Sequence, residues 1–170
     1  FDRHYRAVVI HGPGRASLDE VEMPLLKPGE VLVRVAYQAV CATDHEILDG
    51  KFSYYRSGLA RYPIVPGHEF SGTVAAVGAR VAGLREGDRV VVECIQGCGE
   101  CRACRERRWI GCAERCEVGI VGRNGGYADY MITPSRFVHR LPETIPLPVA
   151  SLCEPAAVVY KGLRRLANVW

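Results

Sequence analysis

Four thiols crowd into the segment 98–112, as Cys98, Cys101, Cys104 and Cys112 in the pattern C-x2-C-x2-C-x7-C. Three cysteines at two-residue gaps form metal knuckles readily. A tetrahedral zinc takes four sulfurs at about 2.3 Å and keeps no open position. Such an ion cannot bind substrate, so its expected role is structural, standing in for a core that so short a loop cannot build. Gly97 and Gly99 allow the backbone to turn tightly around it. Two disulfides or free thiols are the competing reading, but this spacing without a secretory signal favours metal in a reducing cytosol. Cys94 and Cys116 flank the set and are read as small buried apolar side chains. A second constellation, Cys41, His68 and Glu69, is scattered in sequence but chemically suited to one borderline-soft cation.

The chain that must position these groups has 170 residues, 48% hydrophobic and 24% charged, enough for one domain with a sizeable core. Wholesale disorder is excluded by that balance. No apolar run approaches the ~20 residues of a membrane helix, so no membrane partner is expected. The formal charge of +3 is too small to argue for nucleic acid. Around the cysteines, Arg102, Arg105, Arg107 and Arg108 interleave with Glu100, Glu106 and Glu114, which reads as a solvated face of mixed charge. The polar start Phe1-Asp2-Arg3-His4 is not a signal peptide, and a cytoplasmic location is expected.

Hydrophobic periodicity and turn residues divide the chain into short elements. Residues 6–11 read as a strand, followed by the turn Gly12-Pro13-Gly14. Val31, Val33, Val35 and Tyr37 share one face of a second strand, with Arg34 and Gln38 on the other. A short helix is predicted over 43–50, capped by Thr43 or Asp44 and ended by Gly50. Residues 51–62 read as loop. Strands are predicted over 70–77, 88–94, 127–133 and 137–141, and no regular pattern over 94–116. Pro142, Pro146 and Pro148 should break any regular element. A helix follows, with Pro155 in its first turn and a stripe of Val158, Val159, Leu163 and Leu166. The fold class is therefore mainly β and mostly antiparallel, with a cysteine-stabilised lobe and a C-terminal helix.

The motifs together resemble the zinc-dependent medium-chain alcohol and polyol dehydrogenases. The matching segments are Cys41-Ala42-Thr43-Asp44, Gly67-His68-Glu69 with Gly72 and Gly78, and Glu86-Gly87-Asp88-Arg89-Val90. The cysteine lobe, Gly125-Gly126-Tyr127-Ala128 and Glu154-Pro155-Ala156-Ala157-Val158 complete the set. The resemblance runs nearly end to end and implies a GroES-like, partly open β barrel over 1–153, with the zinc lobe at 94–116. It also implies two zinc ions per chain, one structural and one catalytic.

Carried over residue by residue, Cys41 and His68 are catalytic zinc ligands, and Glu69 is a ligand or a displaceable near-ligand. Glu154 falls where alcohol dehydrogenases of the family place a second cysteine, with Cys153 as a competing candidate; a carboxylate there resembles the branch acting on polyols, sugars and threonine. Zinc in such a set would stabilise an alkoxide, and hydride would pass to NAD or NADP. Thr43 is expected to accept the alcohol proton, and Asp44 to fix His68 through its second ring nitrogen. Many relatives carry a histidine five residues after the cysteine ligand. Here Glu46 stands there and His45 one residue earlier, so Glu46 is the candidate for passing the proton on. His4, His11 and His139 match no motif and read as structural.

A dinucleotide fold needs G-x-G-x-x-G between a strand and a helix. Gly119 to Gly125 has the wrong spacing and precedes a strand, so it reads as a turn. The chain thus resembles the first part of a dehydrogenase, with residues 154–170 starting a helix toward a cofactor domain. Hydride transfer by this chain alone is not expected. The full-length protein is expected to take a small secondary alcohol of polyol, sugar or amino-alcohol type and to be a homo-oligomer. The alternatives are a non-catalytic zinc-binding interaction module and a zinc-free reductase. The retained Cys41, Thr43, Asp44, His68, Glu69 and Glu154 weigh against both.

Overall fold

A computed structural model describes residues 3–167. Phe1 and Asp2 of the polar start, and residues 168–170 of the C-terminal segment, lie outside the described residues. The elements run β1 (His4–Gly12), β2 (Arg15–Glu22), β3 (Glu30–Gln38), α1 (Ala42–Leu48), α2 (Ser53–Arg56), β4 (Phe70–Val77), β5 (Arg89–Val92) and β6 (Ile95–Gln96). Then follow α3 (Arg102–Arg105), β7 (Cys116–Val118), β8 (Gly122–Arg123), β9 (Tyr130–Pro134), β10 (Val138–Arg140), α4 (Leu147–Ala150) and α5 (Cys153–Ala167).

The centre is a five-stranded sheet in the order β10-β5-β4-β3-β9, with every pairing antiparallel. Its core is β-branched, as a pleated buried surface favours: Val31, Val33, Val74 and Val90 are almost wholly buried together with Phe70 and Met131. The β1–β2 hairpin is a separate ribbon. The free edge of β1 binds it to the body, through Val8 N–H to Tyr127 O at 2.8 Å and reciprocal bonds between Ile10 and Ile64. The small sheet β6-β7-β8 carries the cysteine lobe, and its β7–β8 pairing is parallel. The fold is thus mainly β, with open sheets, a cysteine lobe and a C-terminal helix.

Several local expectations need correction. The predicted face of β3 breaks at Tyr37, which is 48% exposed. Register shifts between Leu32 and Val33 and between Val35 and Tyr37 change which residues point inward. The 51–62 loop contains α2, and the 94–116 stretch contains β6, α3, a 3-10 turn at Trp109–Gly111 and the start of β7. The β2 strand carries no clean alternation, because most of its residues are exposed on an outer ribbon. The prolines at 146 and 148 start α4 rather than prevent it: Pro146 is its N-cap and Pro148 sits in the first turn, where no intrahelical N–H is needed. The stripe on α5 is helical as expected but open, since Val158, Val159, Leu163 and Leu166 are each about three-fifths exposed.

Phe137 is the hinge between sheet and lobe. It is 1% exposed, meets Trp109 edge-on at 5.9 Å and carries the Arg136 guanidinium over its ring. Phe137→Ala should lower the unfolding free energy by about 3–5 kcal/mol, read from denaturant midpoints. A loss under 1 kcal/mol would contradict this packing.

Candidate metal centres

The lobe brings together the four thiols that the spacing predicts. The sulfurs of Cys98, Cys101, Cys104 and Cys112 all lie within 4.8 Å of one another, and none is disulfide-bonded. Cys98 and Cys104 sulfurs are 3.9 Å apart. A disulfide needs about 2.05 Å, whereas the edge of a tetrahedron with 2.3 Å metal–sulfur bonds is about 3.8 Å. Backbone amides serve the sulfurs as well. The N–H groups of Glu100 and Cys101 point at Cys98 Sγ, and that of Cys98 at Cys112 Sγ, at 3.4–3.5 Å. The two amides on Cys98 pull its thiol down to about 7, while burial pushes Cys104 up to about 12. Four thiols this close would ionise together only around a cation, and the donors fit zinc.

Cys94 is buried as expected, and Cys116 is only partly so. Around the lobe Glu106 bonds both Arg102 and Arg108, as a mixed-charge face should. Those two guanidiniums hold the exposed carboxyl below its ordinary range.

The second centre forms where α1 begins and β4 begins. Cys41 is the N-cap of α1, so neither Thr43 nor Asp44 caps the helix. Ligand atoms of Cys41, His68 and Glu69 lie within 4.8 Å of one another. His68 and Glu69 are 5% and 8% exposed. Glu69 makes no side-chain hydrogen bond or ion pair among the described residues, and the buried His68 Nδ1 has no hydrogen-bond partner. Burying a carboxylate and an imidazole beside a half-buried thiol is costly when neither side chain is hydrogen-bonded. A divalent ion would offset that cost, and one thiolate, one imidazole and one carboxylate suit zinc.

Asp44 behaves differently from the expectation. Its Oδ1 is 3.8 Å from His68 Nδ1, an ion-pair separation and too long for a hydrogen bond. Its carboxylate instead accepts the backbone N–H of Cys41 at 3.0 Å and that of Gly67 at 3.2 Å. It therefore clasps the backbones of both ligand-bearing segments.

Glu154 lies outside the three-ligand cluster, but its half-buried carboxyl feels it. Burial raises its pKa, the nearby His68 opposes this, and the Glu69 charge adds to it. Cys153 is half-buried and belongs to no metal-ligand group among the described residues. Both line a groove of about 790 Å³ between α5, the lobe and the sheet; Phe70 also lines it, whereas Cys41, His68 and Glu69 do not. Thr43 is partly exposed in the first turn of α1, and its hydroxyl has no partner among the described residues. Glu46 and His45 are exposed, His45 lying 3.6 Å from Asp49. His11 bonds Ser17 and Asp19, and His139 bonds Glu93 at 2.7 Å, so both act within the scaffold. His4 is exposed on β1.

Tyr127 was not singled out by sequence reasoning as a site residue. Its ring packs on Gly67, and its hydroxyl is pushed up to about 12 by burial, then by Asp44, then by the charges of Glu69 and Cys41. The signal was its place in Gly125-Gly126-Tyr127-Ala128. Those glycines are needed for contact: a Cβ at 125 would overlap the carbonyl oxygens of Gly67 and Pro66.

An open β domain with a four-thiol lobe and a separate Cys-His-Glu cluster is, as a class, a domain built around two candidate metal centres. Residues 27–143 match the family model described as the alcohol dehydrogenase GroES-like domain, and the chain belongs to that family. D-altritol 5-dehydrogenase of Agrobacterium fabrum is 37% identical over 151 residues, covering 89% of this chain and 43% of that protein. L-threonine 3-dehydrogenase of Deinococcus radiodurans is 36% identical over 151 residues, covering 88% and 42%. Among solved structures, a Sinorhizobium meliloti protein described as a zinc-binding dehydrogenase bound to NADP superposes with a TM-score of 0.84 at 29% identity, covering 96% of this chain and 46% of that one. The chain thus spans under half the length of the relatives it matches.

Asp44→Ala should strand two buried amides. We expect a loss of about 2–4 kcal/mol of stability, measured by chemical denaturation, with Asp44→Asn losing less. Equal stability in both variants would contradict the clasp.

Proposed function

We propose that the chain is the metal-binding catalytic portion of a zinc-dependent dehydrogenase acting on a secondary alcohol of polyol, sugar or amino-alcohol type. Its nicotinamide partner, NAD or NADP, would be held by further polypeptide. The observation that carries this reading is the convergence of Cys41, His68 and Glu69 within 4.8 Å, with Glu154 close enough to sense two of them. The relatives' activities toward altritol and threonine support the substrate class.

When bound there, the metal would supply Lewis acidity toward the substrate oxygen. Cys41 and His68 would hold the ion, and Glu69 and Glu154 are the carboxylates available to share or yield a position. Oxidation removes a hydride from carbon and a proton from oxygen. Thr43 Oγ1 would accept that proton while its own hydroxyl proton leaves toward an acceptor, a relay open to it because its hydroxyl is otherwise unpartnered among the described residues. Glu46, exposed on the same helix, would pass it to solvent. Asp44 would keep the Cys41 and Gly67 backbones in register during the cycle. The lobe takes no part in chemistry, because four thiolates close a zinc shell.

Metal analysis of the purified protein should give two zinc ions per chain. Cys41→Ser should lower this to one, leave the fold intact by circular dichroism, and abolish turnover in the full-length dehydrogenase. Turnover like that of the parent protein would refute the assignment. Cys101→Ser should instead lower thermal stability; an unchanged melting temperature would exclude a structural role for the lobe.

A further inference from the structure

The segment 52–62 links the two centres through three tyrosine hydroxyls. At the lobe end, Glu117 is 9% exposed and lies five residues after Cys112. Its Oε1 accepts from Tyr54 OH at 3.3 Å and from Arg115 Nε at 3.0 Å. Arg115 is itself tied back, its N–H donating to Cys112 O at 3.3 Å. In the middle, Tyr55 OH donates to Ile120 O at 2.9 Å, and its ring lies 4.4 Å from that of Tyr62. At the far end, Tyr62 OH donates to Ile47 O at 2.5 Å. Ile47 is fully buried on α1, the helix that Cys41 caps and Asp44 clasps. The same segment packs on one apolar cluster that contains Ile47, Cys94 and Ile120.

We infer that Tyr54, Tyr55 and Tyr62 form a strut by which the cysteine lobe positions the helix carrying Cys41. They are positioning residues, acting through Ile47 and the helix rather than on substrate. Each hydroxyl ties the same short segment to a different element, so the contacts act in series along it and loss of one loosens the segment that carries the next. Order in the lobe thereby restrains the geometry of the second centre. This goes beyond the proposed activity and rests on it only where zinc at Cys41 is measured.

The test is amide hydrogen exchange on the zinc-loaded protein with Tyr54→Phe, Tyr62→Phe and the double variant. Tyr54→Phe should speed exchange over residues 42–50 by about fivefold, the factor given by one lost hydrogen bond. The β3 and β9 amides should be unchanged and the lobe should keep its zinc. Zinc release from the Cys41 centre to a chelator should quicken by a similar factor. In the double variant, Tyr54→Phe should add nothing to the effect of Tyr62→Phe on α1. Acceleration confined to residues 53–57, acceleration spread evenly over the sheet, or additive effects on α1 would each overturn the strut. A Cys41 centre that never holds zinc would overturn the functional reading alone, and exchange over 42–50 would still decide the strut.

Discussion

The second centre depends on one buried carboxylate. Asp44 sits in the first turn of α1 and spends its oxygens on two backbone amides, one from Cys41 and one from Gly67. A buried charge is tolerable only when hydrogen-bonded, and hydrogen bonds to a charged group are the stronger kind. The positive end of a helix also favours an acid in its first turn. The consequence is geometric. The thiol that precedes the helix and the imidazole that follows Gly67 are drawn to one place, although nothing local connects them. The close approach of Gly125 to the 66–67 backbone closes the same corner from the third side.

The two centres differ in what they leave unfinished. The lobe assembles four like donors, with amides already aimed at its sulfurs, and offers no free position. The other assembles three unlike donors, with a second carboxylate, Glu154, near enough to sense two of them and an unpartnered threonine hydroxyl two residues from Cys41. In the first the ion would substitute for a core; in the second it would meet an incoming oxygen. The apolar and aromatic layer between them is not filler, since its tyrosine hydroxyls bond a buried carboxylate and two backbone carbonyls.

Helix α5 is the least supported element. Helices in proteins are held chiefly by packing of an apolar face, and the stripe from Val158 to Leu166 lies open above a groove. Its first turn nevertheless reaches toward the second centre, because Glu154 feels His68 and Glu69 from there. The relatives that this chain matches are about twice as long.

The amino-acid sequence alone determined what is local. The thiol spacing of 98–112 specified a four-thiol cluster, because side chains a few residues apart meet readily around a tight turn. Residues 70–77 read as a strand whose bounds the structure repeats. The Cys41, His68 and Glu69 set was legible as chemistry, and its assembly was implied through resemblance rather than through spacing. Tertiary structure decided the rest. It kept Asp44 at ion-pair distance from His68, 3.8 Å, and gave its hydrogen bonds to the backbones of Cys41 and Gly67. It brought Tyr127 to the centre and shifted the register of β3 by bulges. It also left the α5 stripe in the open. Each of these depends on contacts between residues distant in sequence, and no short pattern encodes where such residues meet.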